Sequence, residues 1–155
     1  MKKIYLAYGS NMSLEQMFHR CPGAEPVGKG YVKGWRLMFK GSCSGNYATI
    51  EPDPETEVPV VVWAITEADE KRLDRFEGFP SFYVKKTLPF DFVGDRLGRR
   101  AKGEGIVYVM PPERSRYGLP NQIYRKVLLE GYSRFGFNEI YIYDALNYSM
   151  KRMKG

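Results

Sequence analysis

From residue 58 to residue 65 the sequence reads Val-Pro-Val-Val-Val-Trp-Ala-Ile, an apolar run dominated by β-branched side chains. Branching at Cβ suits a pleated strand better than a helix, and an apolar run without alternation needs cover on both faces. The run therefore predicts a central strand, and the rest of the chain must supply its neighbours.

Several segments can do so. Residues 4–8 form a short apolar run stopped by Gly9, which reads as a buried strand entering a turn. Residues 30–39 alternate through Tyr31, Lys33, Trp35, Leu37 and Phe39, with Gly34 marking a bulge. Residues 47–50 read as a short strand, separated from the central one by a turn at Glu51-Pro52-Asp53-Pro54. Residues 83–92 and 103–110 add two more, joined through residues 94–100. Helices are expected where Ser13 and Gln16 form a capping box, and where Thr66 is followed by Asp69. The second of these should bury Ala68, Leu73 and Phe76 and stop at Gly78-Phe79-Pro80. Tyr117-Gly118-Leu119-Pro120 reads as a turn, residues 121–135 and 139–150 as helices, and residues 149–155 as a basic flexible tail. The strands do not alternate with helices. The expected fold class is thus α+β, a single domain over residues 1–155 built on a small mixed β-barrel of five to seven strands with flanking helices.

Composition narrows the function. The net charge is +6, but Lys and Arg are scattered, with clusters only at Arg96-Arg99-Arg100-Lys102 and Lys151-Arg152-Lys154. Neither interleaves basic and aromatic residues as a nucleic-acid surface does, so no nucleic-acid partner is expected. Two cysteines and one histidine are too few for a four-ligand structural zinc site, and no disulfide framework or metal is expected. No apolar run approaches the ~20 residues of a membrane helix, and the N-terminal run is too short for a signal-peptide core. A reduced, cytoplasmic protein without a membrane partner is the expectation.

Three groups of residues carry possible chemistry. Tyr8-Gly9-Ser10-Asn11 lies between a strand end and a helix start, where backbone N–H groups form either an anion-binding nest or an ordinary turn. Glu77 falls at a helix C-terminus between Phe76 and Phe79. A carboxylate there is opposed by the helix dipole, so it is either solvated or pushed up in pKa toward the range of a general acid/base. Tyr83, Tyr108, Tyr117 and Tyr124, from a set of 12 tyrosines, either line a pocket or pack in the core. His19 reads as structural or surface. Cys43 lacks an imidazole partner other than His19, which argues against a Cys-His nucleophile.

In order along the chain, these pieces resemble the γ-glutamylcyclotransferase-like superfamily. The Tyr8-Gly9-Ser10-Asn11 turn after the first strand is similar to its YGSN signature. Ala48-Thr49-Ile50 and Val61-Val62-Trp63-Ala64-Ile65 resemble its central strand pair. Leu73-Asp74 followed by Glu77-Gly78 and Tyr83 looks like the segment with its catalytic glutamate, and Pro120-Asn121 with Tyr124 like its C-terminal helix. The resemblance implies a cofactor-independent enzyme acting on a small-molecule γ-glutamyl substrate and releasing 5-oxoproline and an amine. It implies that Glu77 carries the proton, that backbone N–H groups at Gly9, Ser10 and Asn11 hold the glutamyl end, and that Tyr8, Tyr83 and Tyr124 line the pocket. A non-catalytic binding module with the same pocket is the alternative.

Overall fold

The computed structural model describes residues 2–42, 44–93 and 101–153. Its central element is β3 (Gly45–Ile65), in which residues 61–64 have a strand on each side. On one edge lies β1 (Lys3–Ala7), antiparallel, with Tyr5 opposite Trp63. On the other lies β2 (Glu25–Ser42), antiparallel along almost its whole length. β1 continues into β5 (Lys102–Val109) by the parallel pairing of Tyr5 with Ile106, and β5 pairs antiparallel with β4 (Val84–Phe92). β4 meets β2 again, so five strands close into a mixed barrel. A two-residue strand, β6 (Arg116–Tyr117), lies on the outer end of β2. Among the described residues four α-helices flank the barrel: α1 (Leu14–Arg20), α2 (Glu67–Glu77), α3 (Gln122–Phe135) and α4 (Ile140–Arg152). The expected α+β barrel with flanking helices is the observed architecture.

Three local expectations need correction. The turn at residues 51–54 is continuous strand, with Pro52 opposite Trp35. Before residue 61, where β1 no longer reaches, β3 is paired on one edge only among the described residues, and a proline is tolerated in a strand whose missing N–H faces no partner. The bulge at Gly34 is present, with φ +83 and a register shift between Lys33 and Trp35. In α2 the buried residues are Asp69 and Leu73, while Ala68 and Phe76 face outward. Asp69 turns that face inward because its carboxylate accepts from the N–H groups of Thr66 (3.0 Å) and Gly23 (3.3 Å). The segment from residue 149, read as a flexible tail, is helical through Arg152. Ser149 is fully buried there, and its hydroxyl accepts from Phe39 N–H at 2.8 Å. The basic cluster at residues 96–100, Cys43 and residues 154–155 lie outside the described residues.

Barrel closure is narrow. Among the described residues β4 pairs with β2 at Gly30 with Phe92 and Tyr31 with Asp91, and Val93 N–H adds a bond to the Lys29 carbonyl at 2.9 Å. A Cβ on Gly30 would lie 2.3 Å from the Asp91 carbonyl oxygen, a backbone atom that cannot swing aside. Gly30→Ala is therefore expected to push the seam apart and cost about 1–3 kcal/mol, measurable as a lower midpoint in urea. An unchanged midpoint would show that the seam does not hold the barrel.

Candidate active site

The loop leaving β1 is fastened before it reaches a cavity. After Gly9 the chain makes a 3₁₀ turn, Ser10–Met12. The indole N–H of the fully buried Trp63 donates to the Asn11 carbonyl at 3.1 Å, tying this turn to β3. The Asn11 side chain donates to Tyr5 Oη at 3.0 Å and accepts from the Arg20 guanidinium, which also donates to Ser10 Oγ at 3.3 Å. Ser13 Oγ accepts from Gln16 N–H and starts α1, the helix that carries Gln16 and Arg20. A Cβ on Gly9 would come within 2.9 Å of Tyr124 Oη, so only glycine lets the loop lie this close to α3.

Glu77 is the last residue of α2. Gly78 follows in the left-handed conformation (φ 67), and the N–H of Phe79 reaches the Asp74 carbonyl at 2.8 Å. Without a Cβ, Gly78 adopts this turn at little cost, and the helix ends with Glu77 facing inward. Burial pushes the Glu77 carboxyl up to about 7, and Arg20 partly opposes the shift. The two do not form a direct ion pair, because the guanidinium lies flat on the Phe76 ring, 3.6 Å from its centroid, and spends donors on the loop.

These parts meet around one cavity of about 540 Å³. Tyr8, Gly9, Ser10, Asn11, Glu77, Tyr83 and Tyr124 all line it, although they come from the loop after β1, the end of α2, the residue before β4, and α3. The tyrosines differ in what they have left to offer. Tyr83 donates to the Ala48 carbonyl at 2.9 Å, and Tyr8 donates to the Tyr108 carbonyl, so both protons are spent. Tyr124 Oη instead accepts from the N–H of Ala48 at 3.1 Å. Among the described residues it donates to none of the protein's acceptors, so its proton is free for the cavity.

Other candidates fall elsewhere. Tyr108 lines the cavity, but its hydroxyl is committed to Asp74 Oδ1 at 2.6 Å. Tyr117 packs outside, against Tyr148 and Lys40. His19 is exposed. Among the described residues no cluster of three or more His, Cys, Asp or Glu is placed to hold a metal, and no helix is long and apolar enough to cross a membrane. Sequence reasoning missed Arg20, Gln16 and Phe76 as cavity residues. Only the i, i+4 spacing of Gln16 and Arg20 on a short helix hinted at a shared face.

The model of the family "Gamma-glutamyl cyclotransferase, AIG2-like" matches residues 5–127, which include every residue of this cavity wall. The chain belongs to this family. A curated relative, gamma-glutamylcyclotransferase from Bos taurus, is 34% identical over 85 residues, covering 50% of this chain and 45% of the bovine one. The match therefore spans less than half of that relative's length. Among solved structures, a gamma-glutamyl cyclotransferase superposes with a TM-score of 0.71 at 23% identity, covering 97% of this chain and 86% of its own. An uncharacterized protein from Homo sapiens superposes at 0.74 with 26% identity, covering 97% and 85%. The family match stops within α3, whereas the shared fold extends over nearly the whole chain, α4 included.

The Glu77 shift has a consequence for stability. A carboxyl whose folded pKa is above its unfolded value binds its proton more tightly in the native state. Stability is then greatest below the unfolded pKa, near 4.5, and is lost as pH rises through about 7. Glu77→Gln cannot ionise and escapes this loss. It is expected to melt several degrees above the wild type at pH 8, up to about 3 kcal/mol more stable, and to differ little at pH 4.5. Calorimetric melts at the two pH values check this, and equal differences at both would contradict a raised Glu77 pKa.

Proposed function

We propose that this chain is a cofactor-independent γ-glutamylcyclotransferase that converts a γ-glutamyl amine or amino acid into 5-oxoproline and a free amine. The observation that carries the reading is Glu77, with a pKa raised to about 7, in the same cavity as the YGSN loop and the unspent hydroxyl proton of Tyr124.

The reaction joins the substrate's α-nitrogen to its γ-carbonyl carbon and breaks the bond from that carbon to the leaving nitrogen. An ammonium has no lone pair, so Glu77 first removes a proton from the α-amine. The leaving nitrogen takes that proton back from Glu77 as its bond to carbon breaks, and the second proton, shed by the ring nitrogen as the lactam forms, passes through Glu77 to the departing amine, which leaves as an ammonium. One carboxyl can serve both steps because its pKa lies near neutrality. Ring closure is intramolecular, so the protein's main task is to hold the glutamyl chain folded back on itself. The wall formed by Tyr8, Gly9, Ser10 and Asn11 receives the glutamyl end, with Tyr83 beside it. Tyr124 donates to the oxygen on which negative charge develops. The Ala48 N–H donating into its oxygen strengthens it as a donor.

Incubation with a panel of γ-glutamyl amino acids and amines, with chromatographic detection of 5-oxoproline, tests the proposal. Glu77→Gln is expected to lower kcat by about 10²–10⁴-fold with the fold retained. Wild-type kcat/KM is expected to rise with pH through about 7, as the carboxyl becomes able to accept the proton. Full turnover by Glu77→Gln would overturn the role of Glu77. Binding of every panel member without product would identify a non-catalytic binding module.

A further inference from the structure

The wall of the cavity formed by α1 and the end of α2 carries groups that neither the proposed proton transfer nor the glutamyl grip uses. Gln16 lines the cavity on α1, one helical turn before Arg20. Its Oε1 is buried and has no hydrogen-bond partner among the described residues. A buried acceptor left unpaired is costly, which marks a place where a ligand donor fits. Arg75 lines the cavity from the last turn of α2, two residues before Glu77, is exposed, and takes part in no ion pair among the described residues. Phe76 and Ile123 also line the cavity and are 50% and 79% exposed, so its mouth offers apolar surface as well.

The charge balance of the lining points the same way. Among the described lining residues the cations are Arg20 and Arg75, and the one carboxylic acid is Glu77. The glutamyl end brings an amine and a carboxylate that cancel, and the proton moved to Glu77 during reaction stays inside the same cavity. The excess positive charge is therefore left for the rest of the substrate. Arg20 is already spent on Ser10, Asn11 and Phe76, which leaves Arg75. In an α-amino acid leaving group, the carboxylate sits only two bonds from the nitrogen that Glu77 protonates. Arg75 lines the same cavity as Glu77 from its exposed rim, and its long side chain is placed to meet that carboxylate.

We infer that Gln16 and Arg75 form the leaving-group subsite and select substrates whose departing amine is an α-amino acid, with Gln16 accepting the N–H and Arg75 meeting the carboxylate. The inference rests on the cyclotransferase reading for its description of the substrate, but it is tested separately by binding. The probes are γ-glutamylalanine and γ-glutamylethylamine, which differ only by the carboxylate on the departing amine. Calorimetric Kd values and 5-oxoproline release are measured for both.

The wild type is expected to bind γ-glutamylalanine about tenfold more tightly. Arg75→Gln is expected to shrink that ratio about two- to fivefold. Gln16→Leu removes an unpaired polar group, so its Tm should hold or rise while both Kd values weaken by about threefold or more. A purely structural Gln16 would leave Kd unmoved. Preferential binding without product would keep the subsite and overturn the catalytic reading. Product from both probes with equal affinity would overturn the subsite and keep the catalysis. A preference for γ-glutamylethylamine, or a ratio untouched by Arg75→Gln, would also overturn it.

Discussion

Trp63 is the point at which the barrel and the site are tied together. Its ring is fully buried, edge-on to Phe18 of α1, at the register where β3 is paired on both edges, and its one polar atom reaches the Asn11 carbonyl. An indole N–H buried without a partner would be costly, and the same bond satisfies a carbonyl in a loop that no strand could pair. The loop is thereby held from the core side, while Arg20 holds it from the helix side through the Asn11 carboxamide. The cavity wall at Gly9 and Ser10 is rigid because it is braced from two directions.

Much of this was legible in the sequence, and the exceptions share a cause. The β-branched run, the Thr66–Asp69 capping box, the bulge at Gly34 and the αL glycine that ends α2 are local signals, and each has its expected effect. The errors concern features decided by distant partners. Pro52 and Pro54 signal a turn by local rules, yet they sit in a strand because β1 covers only residues 61–65 of β3 and leaves that edge free. Ser149 looks like the start of a polar tail, yet Phe39 needs an acceptor for its N–H and α4 supplies it. Ala68 and Phe76 fit an apolar stripe, but the bonds of Asp69 to Thr66 and Gly23 set the orientation of α2. The site followed the same pattern. The YGSN turn and Glu77 stand out in the sequence, whereas Gln16 and Arg20 matter only because α1 packs beside the end of α2.

The position of Glu77 shows how fold and proton chemistry are coupled. At a helix C-terminus the backbone carbonyls oppose a negative charge, and the barrel wall removes water from the carboxyl. A direct ion pair with Arg20 would undo this by holding the carboxylate ionised. The stacking of the guanidinium on Phe76 and its bonds to the loop keep Arg20 occupied, so it tempers the shift without abolishing it. One arginine thus braces the loop and limits the acid's pKa, and the two effects cannot be varied independently at that residue.

Ala48 divides the tyrosines into two kinds. Its carbonyl takes the proton of Tyr83, and its N–H points at the oxygen of Tyr124. One backbone residue, buried in β3, therefore leaves Tyr83 with lone pairs and Tyr124 with a proton to offer. Neither polarity is set by the tyrosines themselves, since a free phenol both donates and accepts. It is set by which end of the Ala48 backbone each one meets, and hence by the register of β3 against its neighbours. A shift of one residue in that register would turn the Ala48 groups to the opposite edge and take them away from both tyrosines. The same β-branched run that makes β3 a central strand resists such a slip, because it would carry Trp63 away from Asn11. The hydrogen-bonding character of the cavity is in this sense a property of the barrel's register, fixed well before any ligand arrives.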